Sequence, residues 1–156
     1  MKSCKFCRVI NLVLFVAVIG LVYVFMISGE VIEGEDQRQA IVLEPAERSF
    51  VLAEMRAFLT TVQGITAAIS REDMAAVASL AKASGIATTV GTPVTLMKKL
   101  PLQFKQLGLG VHRDFDQLAL DAEQLSDPGH SLKQLADITA KCVACHATYQ
   151  FTTGVQ

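Results

Sequence analysis

The chain is 156 residues long and carries 14 Lys and Arg residues against 15 Asp and Glu residues, a formal net charge of −1 at pH 7. This length suits one domain of ordinary size, and the charge excludes the strongly basic surface of a nucleic-acid-binding protein. Apolar residues make up 51% of the chain and are concentrated near the N-terminus, which predicts a membrane segment next to that domain.

Val9 to Ile27 form an apolar run of nineteen residues in which only Asn11 and Tyr23 carry polar groups. A helix of this length measures about 28 Å, close to the thickness of the hydrocarbon core of a bilayer. Basic residues precede the run and acidic residues follow it, namely Lys2, Lys5 and Arg8, then Glu30, Glu33, Glu35 and Asp36. Because positive charge stays in the cytoplasm, residues 1–29 are predicted to be a cytoplasmic N-terminus and a single-pass transmembrane anchor.

A cleaved signal peptide is the alternative for this segment. The apolar run is longer than the usual apolar region of a signal peptide, and the residues after it offer a poor match to the small residues that precede a cleavage site. An uncleaved anchor is therefore the favoured interpretation.

Residues 30–43 are predicted to be an acidic, solvated linker. From Glu30 onward the chain has 11 Lys and Arg residues against 15 Asp and Glu residues, a net charge of −4. Four of these acids fall in GEVIEGEDQRQ, which contains Gly and no strong helical stripe. A linker of this length keeps the following domain near the bilayer.

The spacing of apolar residues over 44–156 predicts helices and shows no convincing strand-like alternation. The first helix begins near Pro45, which suits a first turn. Its apolar stripe follows spacings of three and four and consists of Leu52, Met55, Leu59, Val62, Thr66 and Ile69. A second helix is predicted to begin at Ser70, with Asp73 three residues later as in a capping box, and to end at Gly85.

A loop over residues 86–94 and a short amphipathic piece at Thr95–Leu100 lead to a third helix, which begins at Phe104 or Gly110 and ends at Leu125. After the turn SDPGH, a fourth helix is expected from Leu132 to Tyr149. One face of it consists of Leu135, Ile138, Cys142, Cys145 and Tyr149. Four helices with short connections predict an all-α fold, an antiparallel four-helix bundle preceded by one transmembrane helix.

The fourth helix carries the motif C-x-x-C-H as Cys142, Cys145 and His146. Spacings of three and four place the three side chains on one helical face. Two thiols one turn apart can form thioethers with the two vinyl groups of a haem, and the adjacent imidazole then reaches the iron from the same side. C-x-x-C-H is the signature of c-type haem attachment, so we predict one covalent haem c with His146 as the proximal ligand. This attachment is made on the outer face of a bacterial inner membrane, in agreement with a periplasmic domain.

A zinc site and a redox dithiol are the alternatives for this motif. Zinc needs four ligands, and His112 and His130, which could supplement the motif, have no partner at ligand spacing. A thioredoxin-like dithiol is expected in a βαβ context, which the pattern lacks.

Cys4 and Cys7 form a second C-x-x-C, followed by Arg8 instead of His. On the cytoplasmic side of the membrane these thiols are expected to stay reduced. Their position beside the membrane suits palmitoylation, and we assign them no function.

A helical bundle with C-x-x-C-H in its last helix, close to the C-terminus, resembles the cytochrome c-prime family, the class II c-type cytochromes. The resemblance covers about residues 44–151, and CVACHATY fits the family's pattern of an aromatic residue three positions after the His, here Tyr149. The family usually has Arg or Lys directly after that aromatic residue, near a haem propionate, whereas this chain has Gln150.

The resemblance implies that the first helix faces the distal side of the haem. Low-spin members place a Met there, and gas-binding members have an apolar side chain and five-coordinate iron. Met55 is therefore the predicted sixth ligand, shielded by Leu52 and Leu59, although a Met on an apolar stripe is also an ordinary core residue. Lesser candidates are Met97, Met74 and His112, the last of which is expected at an exposed helix start.

These residues predict an electron carrier rather than an enzyme: a membrane-anchored mono-haem c-type cytochrome that serves redox protein partners in or at the membrane. One alternative is a gas-binding module for NO or CO with five-coordinate iron. Another is a haem-bearing accessory subunit of a larger membrane redox complex, in which Gly20 would allow a close helix contact. Family members often form homodimers through their first two helices, where Ala75, Ala76 and Ala78 would permit close packing.

Overall fold

The computed structural model describes residues 5–154, except for the side chains of Lys5, Phe6, Phe25 and Met26. Predictions that concern Lys2 and Cys4 lie outside the described residues. Over the described range the chain is mostly helical, as predicted, with six α-helices and a small three-stranded sheet. Cys7 is disulfide-bonded, so the expectation of a reduced thiol at this position is wrong.

The N-terminal part consists of helix α1 (Lys5–Val22) and a π-helical segment (Tyr23–Ser28) that follows it directly. Apolar side chains are exposed along both, with Phe15 at 64% and Val24 at 56%. No helix in the described part of the chain is long and apolar enough to cross a membrane.

Strands β1 (Val31–Glu33), β2 (Gln39–Val42) and β3 (Tyr149–Thr152) form one sheet in that order. Strands β1 and β2 are antiparallel, whereas β2 and β3 are parallel, with Ile41 opposite Phe151. The prediction that the domain lacks strands is therefore wrong, whereas the acidic residues Glu33, Glu35 and Asp36 are exposed, as expected of a solvated segment. The apolar residues at its end, Ala40, Ile41 and Leu43, are buried, because the C-terminal end of the chain returns to cover and pair with them.

Helix α2 spans Pro45–Ile69 and begins where the sequence predicts. The backbone N–H of Glu44 donates a hydrogen bond to a carboxylate oxygen of Glu47 at 3.0 Å, which satisfies a donor at the helix start. At the other end, Ser70 is the C-terminal cap of this helix, so the expectation that Ser70 begins the next helix is wrong.

Helix α3 spans Met74–Lys82, and its N-terminal cap is Asp73, whose side chain accepts a hydrogen bond from the backbone of Ala76 at 3.0 Å. Between α2 and α3, Glu72 adopts a positive φ of 56°, which ends one helix and turns the chain before the next. A 3₁₀ turn (Ile86–Thr89) occupies the first part of the predicted loop.

Helix α4 (Val94–Lys99), helix α5 (Leu102–Leu125) and helix α6 (Pro128–Thr148) complete the chain before β3. Each begins at or directly after a proline, since proline suits the first turn but not the interior of a helix. Helix α5 begins before the predicted position and ends at Leu125 as predicted. Tyr149 is not on the last helix but begins β3, which corrects its placement on the helical face.

Two apolar clusters form the interior. One joins α3, α5, α6 and the end of α2, around residues such as Ile65, Val77, Phe115, Leu118 and Ile138. The other joins the sheet with α4 and the starts of α2 and α5, around Ile41, Leu43, Val51, Leu96, Leu100, Phe104 and Tyr149. The candidate functional site lies where these two clusters meet.

Candidate functional site

The C-x-x-C-H motif lies in the last two turns of α6. Asp127 caps the start of this helix, and the helix continues to Thr148, so all three motif residues are helical as predicted. Cys142 and Cys145 are partly buried and His146 is exposed. The two thiols are therefore held one helical turn apart at the edge of the interior.

All three motif side chains line a cavity of about 640 Å³. This volume falls within the range of roughly 300–1,000 Å³ that is typical of pockets for small molecules and cofactors. Helix α2 lines the same cavity with Val51, Leu52, Met55, Phe58, Leu59 and Val62. Helix α4 and the first half of α5 contribute further apolar side chains, so the site suits a large, mostly apolar group.

Met55 is partly buried and lines this cavity, as its predicted role as a distal ligand requires. Met97 lines the same cavity. Met74, by contrast, is 8% exposed and packs in the α3–α5–α6 cluster away from the cavity, so it does not belong to the site. Leu59 also lines the cavity but is 69% exposed, which makes it a poor shield for an iron ligand.

His112 is buried in α5, so its predicted position at an exposed helix start is wrong. Its Nδ1 lies 2.9 Å from the carbonyl oxygen of Ser84 and 3.3 Å from the hydroxyl of Thr88. The ring of Phe58 packs against the imidazole with 4.9 Å between centroids. The sequence carried a signal for this burial, because His112 lies three residues before Phe115 on the inward side of the helix.

The imidazole of His112 also lines the cavity. When Nδ1 donates to the Ser84 carbonyl, the lone pair of the imidazole resides on Nε2. A hydrogen bond from one ring nitrogen to a backbone carbonyl is the arrangement that orients many metal-binding histidines. His112 is thus a stronger candidate for the distal side than its sequence context indicated.

Burial shifts the pKa of both thiols of the motif in the same direction. Burial raises the pKa of the Cys145 thiol to about 11, and the neighbouring Cys142 adds to this effect. Burial also raises the pKa of Cys142. Redox-active C-x-x-C motifs commonly contain a thiol with a lowered pKa, and burial shifts the pKa of both thiols in the opposite direction here.

The donor geometry also bears on the zinc alternative. Within residues 5–154, no group of three or more His, Cys, Asp or Glu side chains is arranged to hold a metal ion. His130 lies near the start of α6, sixteen residues before His146, which corresponds to about 24 Å along a helix. Its Nε2 instead lies 2.9 Å from a carboxylate oxygen of Asp121, so it cannot supplement the motif.

Several charged residues that line the cavity were missed by sequence reasoning: Glu54, Arg56, Lys105 and Lys141. Burial raises the pKa of the Glu54 carboxyl, while the nearby His112 acts in the opposite direction. Burial lowers the pKa of Lys105, and Lys141 forms an ion pair with Asp114. The cavity therefore combines an apolar interior with cationic groups among its lining residues.

Gln150, which stands where the resembling family has a basic residue, belongs to β3 and donates a hydrogen bond to Asp36 at 3.0 Å. A cation nevertheless lies at this end of α6. Arg38, from the turn between β1 and β2, donates a hydrogen bond to the carbonyl oxygen of His146 at 3.1 Å. The guanidinium thus satisfies an acceptor in the last turn of the helix and complements the helix dipole.

No known protein family, no curated protein and no solved structure matches this chain. The motif, the cavity and the chemistry of the residues that line it are therefore the features that point to a function.

Proposed function

We propose that the protein is a mono-haem c-type cytochrome that carries electrons between redox partners. The observation that carries this proposal is the position of the motif: Cys142, Cys145 and His146 line one apolar cavity of about 640 Å³, and Met55 lines the same cavity from α2. In this proposal the two thiols form the thioethers and His146 is the proximal ligand. Met55 is the proposed sixth ligand.

The residues present fit a haem. The two thiols and the imidazole lie at positions 142, 145 and 146, on one helical face. This arrangement matches a haem whose two vinyl groups and iron are approached from one side. Apolar side chains such as Leu52 and Phe58 suit the porphyrin faces and exclude water. Arg56, an exposed cation among the lining residues, suits a carboxylate of a haem.

When bound, the haem iron supplies the one-electron redox chemistry. The chain contributes the axial groups, the apolar surroundings and a surface for partner proteins. A thioether as sixth ligand raises the reduction potential relative to two imidazoles. The proposed activity is electron transfer, without a chemical transformation of a substrate.

We further propose that the fold is that of the class II c-type cytochromes, with α2, α3, α5 and α6 as an antiparallel four-helix bundle. The packing of α3 between α2 and α5, and of α6 against α5, supports this assignment. The small sheet that joins both ends of the domain is an addition to that bundle. In this proposal the domain also forms homodimers through α2 and α3.

The N-terminal segment is proposed to anchor the protein in a bacterial inner membrane, with the haem domain in the periplasm. Support comes from the nineteen-residue apolar run and the charges on either side of it. The apolar side chains of the run that the structure describes are mostly exposed, and in water such a surface needs a cover. Redox partners would then be proteins in or at the same membrane.

Haem staining of a denaturing gel tests the proposed attachment. We expect a stained band at the monomer mass for the wild type, because thioethers survive denaturation. Cys142→Ala or Cys145→Ala should leave one thioether and a much weaker band, and His146→Ala should remove the proximal ligand. Val143→Ala is the matched control, since this side chain is 70% exposed and lies between the two thiols. Haem that extracts from the wild type into acid butanone would show that the covalent proposal is wrong.

A further inference from the structure

The end of the apolar N-terminal run packs against the corner between α4 and α5. The backbone N–H of Glu30 donates a hydrogen bond to the carbonyl oxygen of Lys99 at 2.8 Å. Gly29 has a positive φ of 65°, and a Cβ there would lie 2.6 Å from the carbonyl oxygen of Lys99. Only glycine permits this approach, so the chain passes from the apolar run into the domain without a flexible spacer.

Val24 lies beside α4 as well. Together with Gly29, Thr95 and Lys98 it lines a cleft of about 260 Å³. Val24 belongs to the last turns of the apolar run, so α4 lies at the level where that run ends. If the run spans a bilayer, as the proposed anchor requires, α4 must then lie at the lipid surface.

The segment that leads into α4 has the composition of a lipid-contacting loop. From Ile86 to Met97 it contains no charged residue, and Lys98 and Lys99 follow. Val90 is 85% exposed, more than any other large apolar side chain that the structure describes, and Val94 is 70% exposed. Exposed apolar side chains with adjacent lysines are typical of surfaces that insert into the headgroup region.

We propose that residues 90–98 dock onto the lipid headgroup layer of the bilayer that holds the N-terminal helix, with Val90 and Val94 inserted among the lipids. This inference rests on the proposed anchor but not on the proposed haem. The lysine at the end of the segment, Lys98, is exposed and suits the phosphates of that layer. Thr89, Thr92 and Leu96 of the same region line the cavity, so one wall of the cavity would lie at the membrane.

Spin labels attached to single introduced cysteines test this docking in the full-length protein, reconstituted in nanodiscs of mixed neutral and anionic phospholipid, with the signal of the identically treated wild type subtracted because the chain has four cysteines of its own. Labels at Val90→Cys and Val94→Cys should collide several-fold more often with oxygen, which concentrates in lipid, than with a water-soluble nickel complex. Leu132→Cys is the matched control. Leu132 is 52% exposed and lies in α6, just after the end of α5 that is farther along the chain from α4. Helix α5 has 24 residues, or a length of about 36 Å. The label at residue 132 should therefore show the opposite preference.

Three outcomes would contradict the proposal. Labels at residues 90 and 94 that are as accessible to the nickel complex as the label at residue 132 would show that the segment faces water. Labels protected from both oxygen and nickel would show that a protein covers it instead. Release of the protein from nanodiscs by a salt wash would overturn the anchor as well, which separates that failure from a failure of docking alone.

Discussion

At the scale of single residues, the sixth ligand of the proposed haem iron is the sharpest question, and Met55→Leu addresses it. Leu nearly conserves the volume and helix propensity of Met, so the fold should remain intact. If the sulfur of Met55 binds the iron, the wild type should be six-coordinate and low-spin, and the ferric form should show a sulfur-to-iron charge-transfer band in the far red. The variant should lose that band, bind CO and have a lower reduction potential.

Met97→Leu is the control for this experiment, because it removes a second thioether from the same cavity without removing the proposed ligand. A high-spin wild type that binds CO readily, with a silent Met55→Leu variant, would favour the gas-binding alternative. A low-spin spectrum that survives Met55→Leu would move the ligand to another residue. His112→Ala would then be decisive, because the Ser84 carbonyl already orients this imidazole.

Asp121 ties the end of α5 to the start of α6 through polar side chains. Its carboxylate lies 2.9 Å from Nε2 of His130 and accepts hydrogen bonds from Gln117 at 2.7 Å and Gln134 at 2.6 Å. The hydrogen bond with His130 holds the pKa of Asp121 below its usual range, with Gln117 and Gln134 adding to the effect. A carboxyl whose pKa is lowered by folding stabilises the protein above its unfolded pKa and loses that contribution as the pH falls.

We therefore expect Asp121→Asn to lower the free energy of unfolding at pH 7, and we expect this difference to shrink below a pH of about 4, the ordinary range of an Asp pKa. Urea unfolding of both proteins at a series of pH values measures it. Asp137→Asn is the control, because its ion pair with Lys133 is exposed on both sides and should contribute little. A constant difference between pH 7 and pH 3 would show that the charge of Asp121 does not contribute.

At the scale of elements, β2 tests whether the acidic segment belongs to the folded domain. Ile41 is fully buried between α4 and the C-terminal strand, whereas Ile32 of β1 is 41% exposed. Ile41→Ala should lower the free energy of unfolding by about 2–5 kcal/mol, the usual cost of such a truncation in a core. Ile32→Ala makes the same chemical change at an exposed site and should cost far less. Equal, small effects in thermal or urea unfolding would mean that the segment is a linker after all.

The sequence predicted those elements whose signals are local. The Pro at residue 45, the apolar stripe of α2 and the spacing of the C-x-x-C-H motif each depend on residues within one or two helical turns, and the structure agrees with them. The strands could not be found in this way, because β2 pairs with residues at the far end of the chain. The acidic residues that precede it also made the short apolar stretch that ends at Leu43 resemble part of a linker.

The candidate site was predictable to a similar extent. The motif residues and Met55 of the α2 stripe line the same cavity, and their roles as haem ligands stay predictions. His112 was predicted to be exposed because its sequence neighbours are polar. It lies on the inward side of α5 instead. Arg38 was missed because its partner carbonyl groups lie on α6 and β3, and no local pattern predicts such a contact.

At the scale of the whole molecule, the sheet connects the proposed anchor with the helix that carries the proposed haem site. Strand β1 follows the N-terminal apolar run, β2 pairs with it, and β3 continues directly from the helix that carries the motif. Only the three strands of this sheet therefore separate the proposed anchor from the helix that carries the proposed haem site. A carrier tethered in this way meets membrane-bound partners at a high effective concentration.

This arrangement depends on the topology of the N-terminus, which makes the last prediction. The three basic residues before the apolar run should hold the N-terminus in the cytoplasm, and the proposed haem attachment would then take place on the opposite side of the membrane. Mass spectrometry of protein extracted from membranes should find the N-terminal peptide still attached, and a carbonate wash should not release the protein. Replacing Lys2, Lys5 and Arg8 together by Gln should weaken the orientation signal, and the haem-stained fraction of the protein should then fall, while the same change at Lys133, Lys82 and Arg71 in the domain should not alter it. A mature chain that begins near residue 29 and is released by osmotic shock would show that the run is a cleaved signal, and the haem domain would then be a diffusible carrier.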